Sequence, residues 1–211
     1  MPLATLAELR TAVIDLRTDL TAKFLSEILP LAEQRIYYGD GPVPPLRVLP
    51  MEASGDLTFT AGAATLPPAF LDKRALYWVG SGGQTVSLSY EPPSVFYPAS
   101  YGRLGGSWPS AYTIEGTTVK ISPSLSGTAK MVYYARPAAM TADGSTNAIL
   151  TSWPGVYLFG CQIERFRLER NDTEMAKARQ MYADAITAAN KQALVARSLG
   201  GPLRKRVGFG V

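Results

Sequence analysis

Residues 56–136 read as a string of short β-strands, and both flanks read as helix. That order constrains the fold more than any other feature of the chain. Leu57 and Phe59 alternate with Thr58 and Thr60, and Val86, Leu88 and Tyr90 alternate with Ser87 and Ser89 before Pro92-Pro93. Leu76, Trp78 and Val79 end at Gly80-Ser81-Gly82-Gly83. Tyr112 and Ile114 run to Glu115-Gly116, Val119 and Ile121 follow, and Met131–Tyr134 is a last apolar strand before Pro137. Alternation at a period of two, bounded by turn residues, is the signature of half-buried antiparallel strands. The segment from Glu91 to Ser107 reads as a long loop with at most one helical turn. It carries Phe96, Tyr97 and Tyr101, with Trp108 just after its end. Aromatic residues of this kind either anchor a subunit interface or cap the edge of the sheet.

The flanks have the other period. Leu6, Leu9, Val13, Leu16 and Leu20 recur at spacings of three and four, the apolar face of an amphipathic helix. Thr5 and Glu8 stand at the spacing of a capping box. A second helix is expected from Ala22 to Tyr38. Pro30 inside it must either kink the helix or start a new one, because proline suits only a first turn. Residues 138–152 read as a linker with turn chemistry at Asp143-Gly144. Helix returns at Pro154 and runs to about Arg170. After Asn171-Asp172, with Asp172 as the expected cap, it continues to about Ala196. Ala178, Ala185, Ala189 and Ala193 form a small-residue face, fit either for packing within the chain or for a neighbouring copy. The fold class expected is α+β: a helical frame from 1–45 and 138–199, an inserted antiparallel, sandwich-like β module at 46–137, and a tail at 200–211.

The chemical inventory is thin. There is no histidine, and Cys161 is the one cysteine. Zinc sites and histidine-based hydrolases therefore lack their groups, and Cys161, among Val156, Leu158, Phe159 and Ile163, reads as a buried small hydrophobe. Gly80–Gly83 lacks the Lys-Ser/Thr of a phosphate loop and reads as a hairpin turn. Glu164 with Arg167, and Arg165 with Glu169, read as ordinary helix ion pairs of about 0.2–0.5 kcal/mol each. No catalytic, metal or cofactor site is expected, and the chain is read as no enzyme. No apolar run approaches the ~20 residues of a membrane span, and Met1–Thr5 lacks the features of a secretory leader.

The charge is localised. Of the 21 basic residues, Arg197, Arg204, Lys205 and Arg206 lie beyond Lys191, and the rest balance the 17 acidic ones, so these four carry the net +4. Such a segment is either a solvated tail or a docking arm for an acidic surface or nucleic acid. If all four met phosphates, the salt slope on duplex DNA would be about −3.6. A nucleic-acid-binding structural module using this tail is the alternative reading of function.

Several phrases, in order, resemble the adaptor (head–tail connector) proteins of tailed bacteriophages. They are Leu31-Ala32-Glu33-Gln34-Arg35-Ile36, Gly62-Ala63-Ala64-Thr65-Leu66-Pro67 with Phe70-Leu71, and Pro109-Ser110-Ala111-Tyr112-Thr113-Ile114-Glu115-Gly116 returning through Val119–Pro123. Met131-Val132-Tyr133-Tyr134-Ala135-Arg136-Pro137 and Trp153–Gly160 complete the series. Pro68 and Phe159 depart from the family habit. The resemblance implies a structural virion protein at the neck, assembled in the host cytoplasm. It implies a ring, commonly of twelve copies, below the portal, which extends the DNA channel and offers a platform to the tail. Its implied partners are the portal protein, tail (nozzle or tail-completion) proteins, neighbouring copies and the genomic DNA passing through, with no membrane. The C-terminal segment would dock on the portal, with Arg197, Arg204, Lys205 and Arg206 as cations and Phe209 as apolar anchor. Phe96, Tyr97, Tyr101 and Trp108 would serve as subunit-interface aromatics.

Overall fold

A computed structural model describes residues 3–14, 18–100 and 107–198. They divide into two compact units, one built from the residues up to Pro50 with those from Ala138 onward, the other from Met51–Pro137. Helices and a seven-stranded sheet make this an α+β protein.

The helical unit opens with α1 (Leu6–Ile14). Its capping box forms: the Thr5 amide donates to Glu8 Oε2 at 3.0 Å, and the Glu8 amide donates to Thr5 Oγ1 at 3.3 Å. The amides of Ala4 and then Thr5 hold the Glu8 carboxyl below its ordinary range, with burial opposing them slightly. Leu6, Leu9 and Val13 are buried as their spacing requires; Leu16 lies outside the described residues.

The effect of Pro30 is visible one turn upstream. A 3-10 turn (Thr18–Leu20) and α2 (Thr21–Lys23) lead into a π-helical turn (Phe24–Ile28), and α3 (Leu29–Tyr38) restarts with Pro30 in its first turn. Proline has no amide to donate and its ring crowds the preceding turn. The ladder therefore widens, and the Leu29 amide reaches the Phe24 carbonyl.

After the turn at Asp143-Gly144, α5 (Ala148–Ser152) is a helix that the linker reading did not contain. Asn147 caps it, its Oδ1 accepting from the amides of Ile149 at 3.1 Å and Leu150 at 2.9 Å. Next come α6 (Pro154–Leu168) and α7 (Asp172–Ser198). The cap of α7 is Asn171 rather than Asp172, because Asn171 Oδ1 accepts the Glu174 amide at 3.2 Å. Asp172 instead begins the helix, where a negative charge suits the positive end of the helix dipole. The alanine face of α7 is used within the chain: Ala178, Ala189 and Ala193 are buried with Tyr182 and Ile186. Close approach is set at Gly160 of α6, where an added Cβ would lie 3.6 Å from both Ala32 and Tyr182.

In the β unit the strands are β1 (Glu52–Phe59), β2 (Ala63–Thr65), β3 (Phe70–Val79), β4 (Thr85–Tyr90), β5 (Ala111–Glu115), β6 (Thr118–Ser122) and β7 (Gly127–Ala135). Their order is β1-β7-β3-β4-β5-β6-β2. Two features differ from the sequence reading. The Glu91–Ser107 segment holds a two-turn helix, α4 (Pro93–Ser100). Because that crossover returns the chain in its original direction, β4 and β5 pair in parallel at Ser89–Tyr90 and Ala111–Tyr112, so the sheet is mixed. All other pairs are antiparallel, and β3 and β4 form the expected hairpin around Gly80–Gly83.

The outermost strands, β1 and β2, are consecutive in the chain. Thr60 and Ala63 join them by a tight turn with reciprocal amide–carbonyl bonds of 2.9 and 3.1 Å. The sheet therefore curls upon itself around Leu57, Phe59, Leu76, Trp78, Val119, Ile121 and Met131. Gly62 makes the turn possible. Its φ is +79°, its amide donates to the Leu125 carbonyl at 3.0 Å, and an added Cβ would lie 2.7 Å from the Ser124 backbone.

Two glycine substitutions should thus move stability in opposite directions. Gly62→Ala should lower the stability of the β unit by about 2 kcal/mol or more, since strain and backbone contact add. Gly160→Ala meets only ordinary van der Waals contact and should raise stability by about 0.5–1 kcal/mol through helix propensity. Urea denaturation of the two variants checks both signs.

Candidate functional site

The one cysteine is sheltered. Cys161 is fully buried in α6, and burial, then the charges of Glu33 and Glu164, push its thiol well above the ordinary range. A thiol held protonated is neither nucleophile nor ligand. Among the described residues, no three His, Cys, Asp or Glu side chains gather in a way that could hold a metal ion. No helix among them is long and apolar enough to cross a membrane.

Two polar clusters join α3 and α6 in the helical unit. In the first, the buried Tyr157 hydroxyl accepts from Asn147 Nδ2 at 2.8 Å, donates to Glu33 Oε1 at 3.3 Å and lies 3.1 Å from the Tyr37 hydroxyl. Burial, then the neighbouring Tyr37 and Glu33, push the Tyr157 phenol well above its ordinary value, so it stays a donor.

The second cluster corrects the sequence reading of Glu164. This carboxylate is 1% exposed and does not form an ordinary surface pair. Arg35 Nε donates to its Oε1 at 2.6 Å, and a terminal Arg35 nitrogen also pairs with Asp40. Arg167 Nε stands 2.8 Å from Oε2 but off the line of its N–H, so that contact is ionic and Oε2 has no hydrogen bond. Burial works against the Arg35 charge, but the bond to Glu164 and the charges of Glu164 and Asp40 outweigh it and raise its pKa. Arg165, on the next position, donates to the Val13 carbonyl at 2.6 Å and to Glu169 Oε1 at 3.1 Å.

On the β unit, the four loop aromatics separate. Phe96 is buried at 3%, and Tyr97 is 41% exposed with its ring at 81° to that of Phe96 and 5.5 Å away. Lys120 of β6 donates to the Tyr97 hydroxyl at 2.7 Å and to Glu115 Oε2 at 2.8 Å. Those bonds from Lys120, then Tyr97, hold the Glu115 carboxyl low, and the Glu115 and Tyr97 bonds hold the Lys120 ammonium high. Phe96, Tyr97 and Lys120 face a hollow of about 350 Å³ with the Gly62 turn and Pro123. Trp108, 40% exposed, lines a different hollow of about 620 Å³ with Trp78, Gly80 and Gly127. Its indole lies against Gly80, where the missing side chain makes room. Tyr101 lies outside the described residues.

Of the residues expected in the C-terminal arm, Arg197 stands inside α7 and donates to the Arg47 carbonyl at 3.2 Å, so it ties the helix to the 47 segment. Asn190 adds to the tie, accepting from the Arg47 amide at 2.7 Å and donating to the Pro45 carbonyl at 3.1 Å. Arg204, Lys205, Arg206 and Phe209 lie outside the described residues.

Removing Arg35 leaves Glu164 buried with one half-exposed cation. Arg35→Met should therefore cost about 3–5 kcal/mol. The double variant Arg35→Met/Glu164→Leu should recover much of that loss, because no buried charge is then stranded. Denaturant midpoints of the two variants measure the difference.

The model of a protein family described as SU10 adaptor protein matches residues 4–206, a stretch that includes the helices and the whole sheet. No curated protein matches the chain.

Proposed function

The chain belongs to the SU10 adaptor protein family, a structural family of phage head–tail adaptors, and we propose that it builds a ring below the portal of its own phage. In this reading, twelve copies close head to tail. The ring prolongs the DNA channel and presents a platform to nozzle or tail-completion proteins at the virion neck. The observation that carries the proposal is the family match across 4–206, together with phrases between Leu31 and Gly160 that share the family's order.

Physical features agree with that role. A cyclic ring needs two different patches on each copy, one meeting the other across the interface. The exposed aromatics Tyr97 and Trp108 offer apolar contact on the β unit. The C-terminal cations Arg204, Lys205 and Arg206, with Phe209, are the arm proposed to dock on the portal. One such arm binds weakly, but repetition around a ring multiplies its effect. The α3–α6 clusters give each copy a stiff frame, which lowers the entropy lost on assembly.

The full-length chain mixed with its portal should form a high-mass ring complex, visible by native mass spectrometry and negative-stain imaging. Deletion of residues 200–211 should weaken that complex by at least tenfold. Absence of any complex with the intact chain would overturn the proposal. A complex indifferent to the deletion would remove the docking arm from it.

A further inference from the structure

The hollow of about 620 Å³ beside the turn of the β3–β4 hairpin has the size of a small-molecule site and an accessible indole, that of Trp108. The indole is seated by an absence. Gly80 has no side chain, and an added Cβ there would lie 2.2 Å from the edge of the six-membered ring. Around Trp108 stand four hydroxyl side chains, Ser81, Ser107, Ser126 and Thr128, all exposed. Ser126 Oγ accepts from the Ala61 amide at 3.0 Å and keeps its own proton to donate. The other three hydroxyls and the indole N–H bond nothing among the described residues. No residue that lines the hollow carries a charge.

We propose that this hollow binds a neutral saccharide, with a pyranose ring on the exposed indole of Trp108 and its hydroxyls bonded to Ser81, Ser107, Ser126 and Thr128. The C–H bonds on a pyranose face are weakly positive and an aromatic face is negative, so the two attract while both leave water. A serine or threonine hydroxyl donates and accepts from one atom, as a sugar hydroxyl does, and the match needs no charge. The same chemistry rejects other ligands. A nucleic acid would bring phosphates, which call for cations. An acidic or basic peptide would bring a charge that nothing in the hollow answers.

An indole already fixed against Gly80 loses little freedom when a ligand arrives, which lowers the entropic cost of binding. At ordinary ligand efficiency one hexose ring binds with a Kd on the order of 1 mM. Every residue of the site belongs to the β unit, so a single copy forms it without any ring. The site takes Trp108 and leaves Tyr97, in the other hollow, for contact between copies.

The test is titration of the full-length chain with four neutral trisaccharides (maltotriose, cellotriose, mannotriose and galactotriose), read by tryptophan fluorescence and saturation-transfer NMR. At least one should shift the emission and bind at about 1 mM. Its affinity should not change with salt, because no charge takes part. Trp108→Ala should lower that affinity at least tenfold. Gly80→Ala keeps the indole but drives it from its seat, and should lower affinity several-fold. Thr128→Val changes an exposed strand position by one hydroxyl. It should lower affinity several-fold with the melting temperature unchanged, so it decides the matter if the Trp108 variant folds poorly. Absence of binding by all four sugars at about ten times the expected Kd would overturn the site. Binding that survives Trp108→Ala, or is untouched by Thr128→Val, would overturn it too. Capture of a neutral peptide or an oligonucleotide by the same hollow, with no sugar bound, would assign it to that ligand instead.

Discussion

The helical unit depends on one buried carboxylate. Glu164 is withdrawn from water in the second half of α6, and burying a lone charge there would cost more than a helix of this size can offset. The cost is met by Arg35, which bonds Glu164 and pairs with Asp40, and by Arg167. One guanidinium thus fixes the register of α3 against α6 and the place of the turn that follows α3. The packing nearby obeys the same register: Ala32, three residues before Arg35, sits against Gly160, four before Glu164. A slip of one turn along either helix would separate Glu164 from Arg35 and strand the carboxylate. Specificity of register, rather than net stability, is the physical contribution of such a pair.

The β unit solves a different problem. A curled sheet has edges, and open edges invite pairing with other chains. Here β1 and β2, the outermost strands, are joined through a turn that only a residue tolerant of positive φ and a very close backbone can make, and Gly62 supplies it. Trp78 fills the interior beside Phe59, with ring centroids 6.0 Å apart, and rests on Gly127. Tyr112, whose phenol is raised to about 12, first by burial and then by Tyr90 and Asp72, closes the side where the parallel pair forms.

What could be read in advance follows the range of the interaction. The Thr5–Glu8 box, the Gly80–Gly83 hairpin and the alternating strands are local, and they stand where the sequence placed them. Glu164 looked like a member of a surface pair because Arg167 is visible three residues away, while its main partner Arg35 is 129 residues distant. The same distance hid the joining of Tyr157 with Asn147, Tyr37 and Glu33. β2 escaped notice because three residues carry no period, and the parallel pair because strand direction depends on a crossover that read as a loop. Among the interface candidates, composition alone could not separate buried Phe96 from its exposed neighbor Tyr97. That distinction comes from which face of α4 packs on the sheet.

The two kinds of polar group in the helical unit carry opposite implications for assembly. Arg35, Tyr157 and Asn147 are matched within the chain and stiffen it, and Glu164 is held by a cation on each side although its Oε2 accepts no hydrogen bond. The Tyr182 hydroxyl is buried without a hydrogen-bond partner among the described residues, so it costs the isolated copy stability. Arg179, one turn away, is exposed and solvated, so it can meet an acidic surface without first breaking a contact of its own. Contacts made by such exposed charges are weak singly, and repetition around a ring multiplies them.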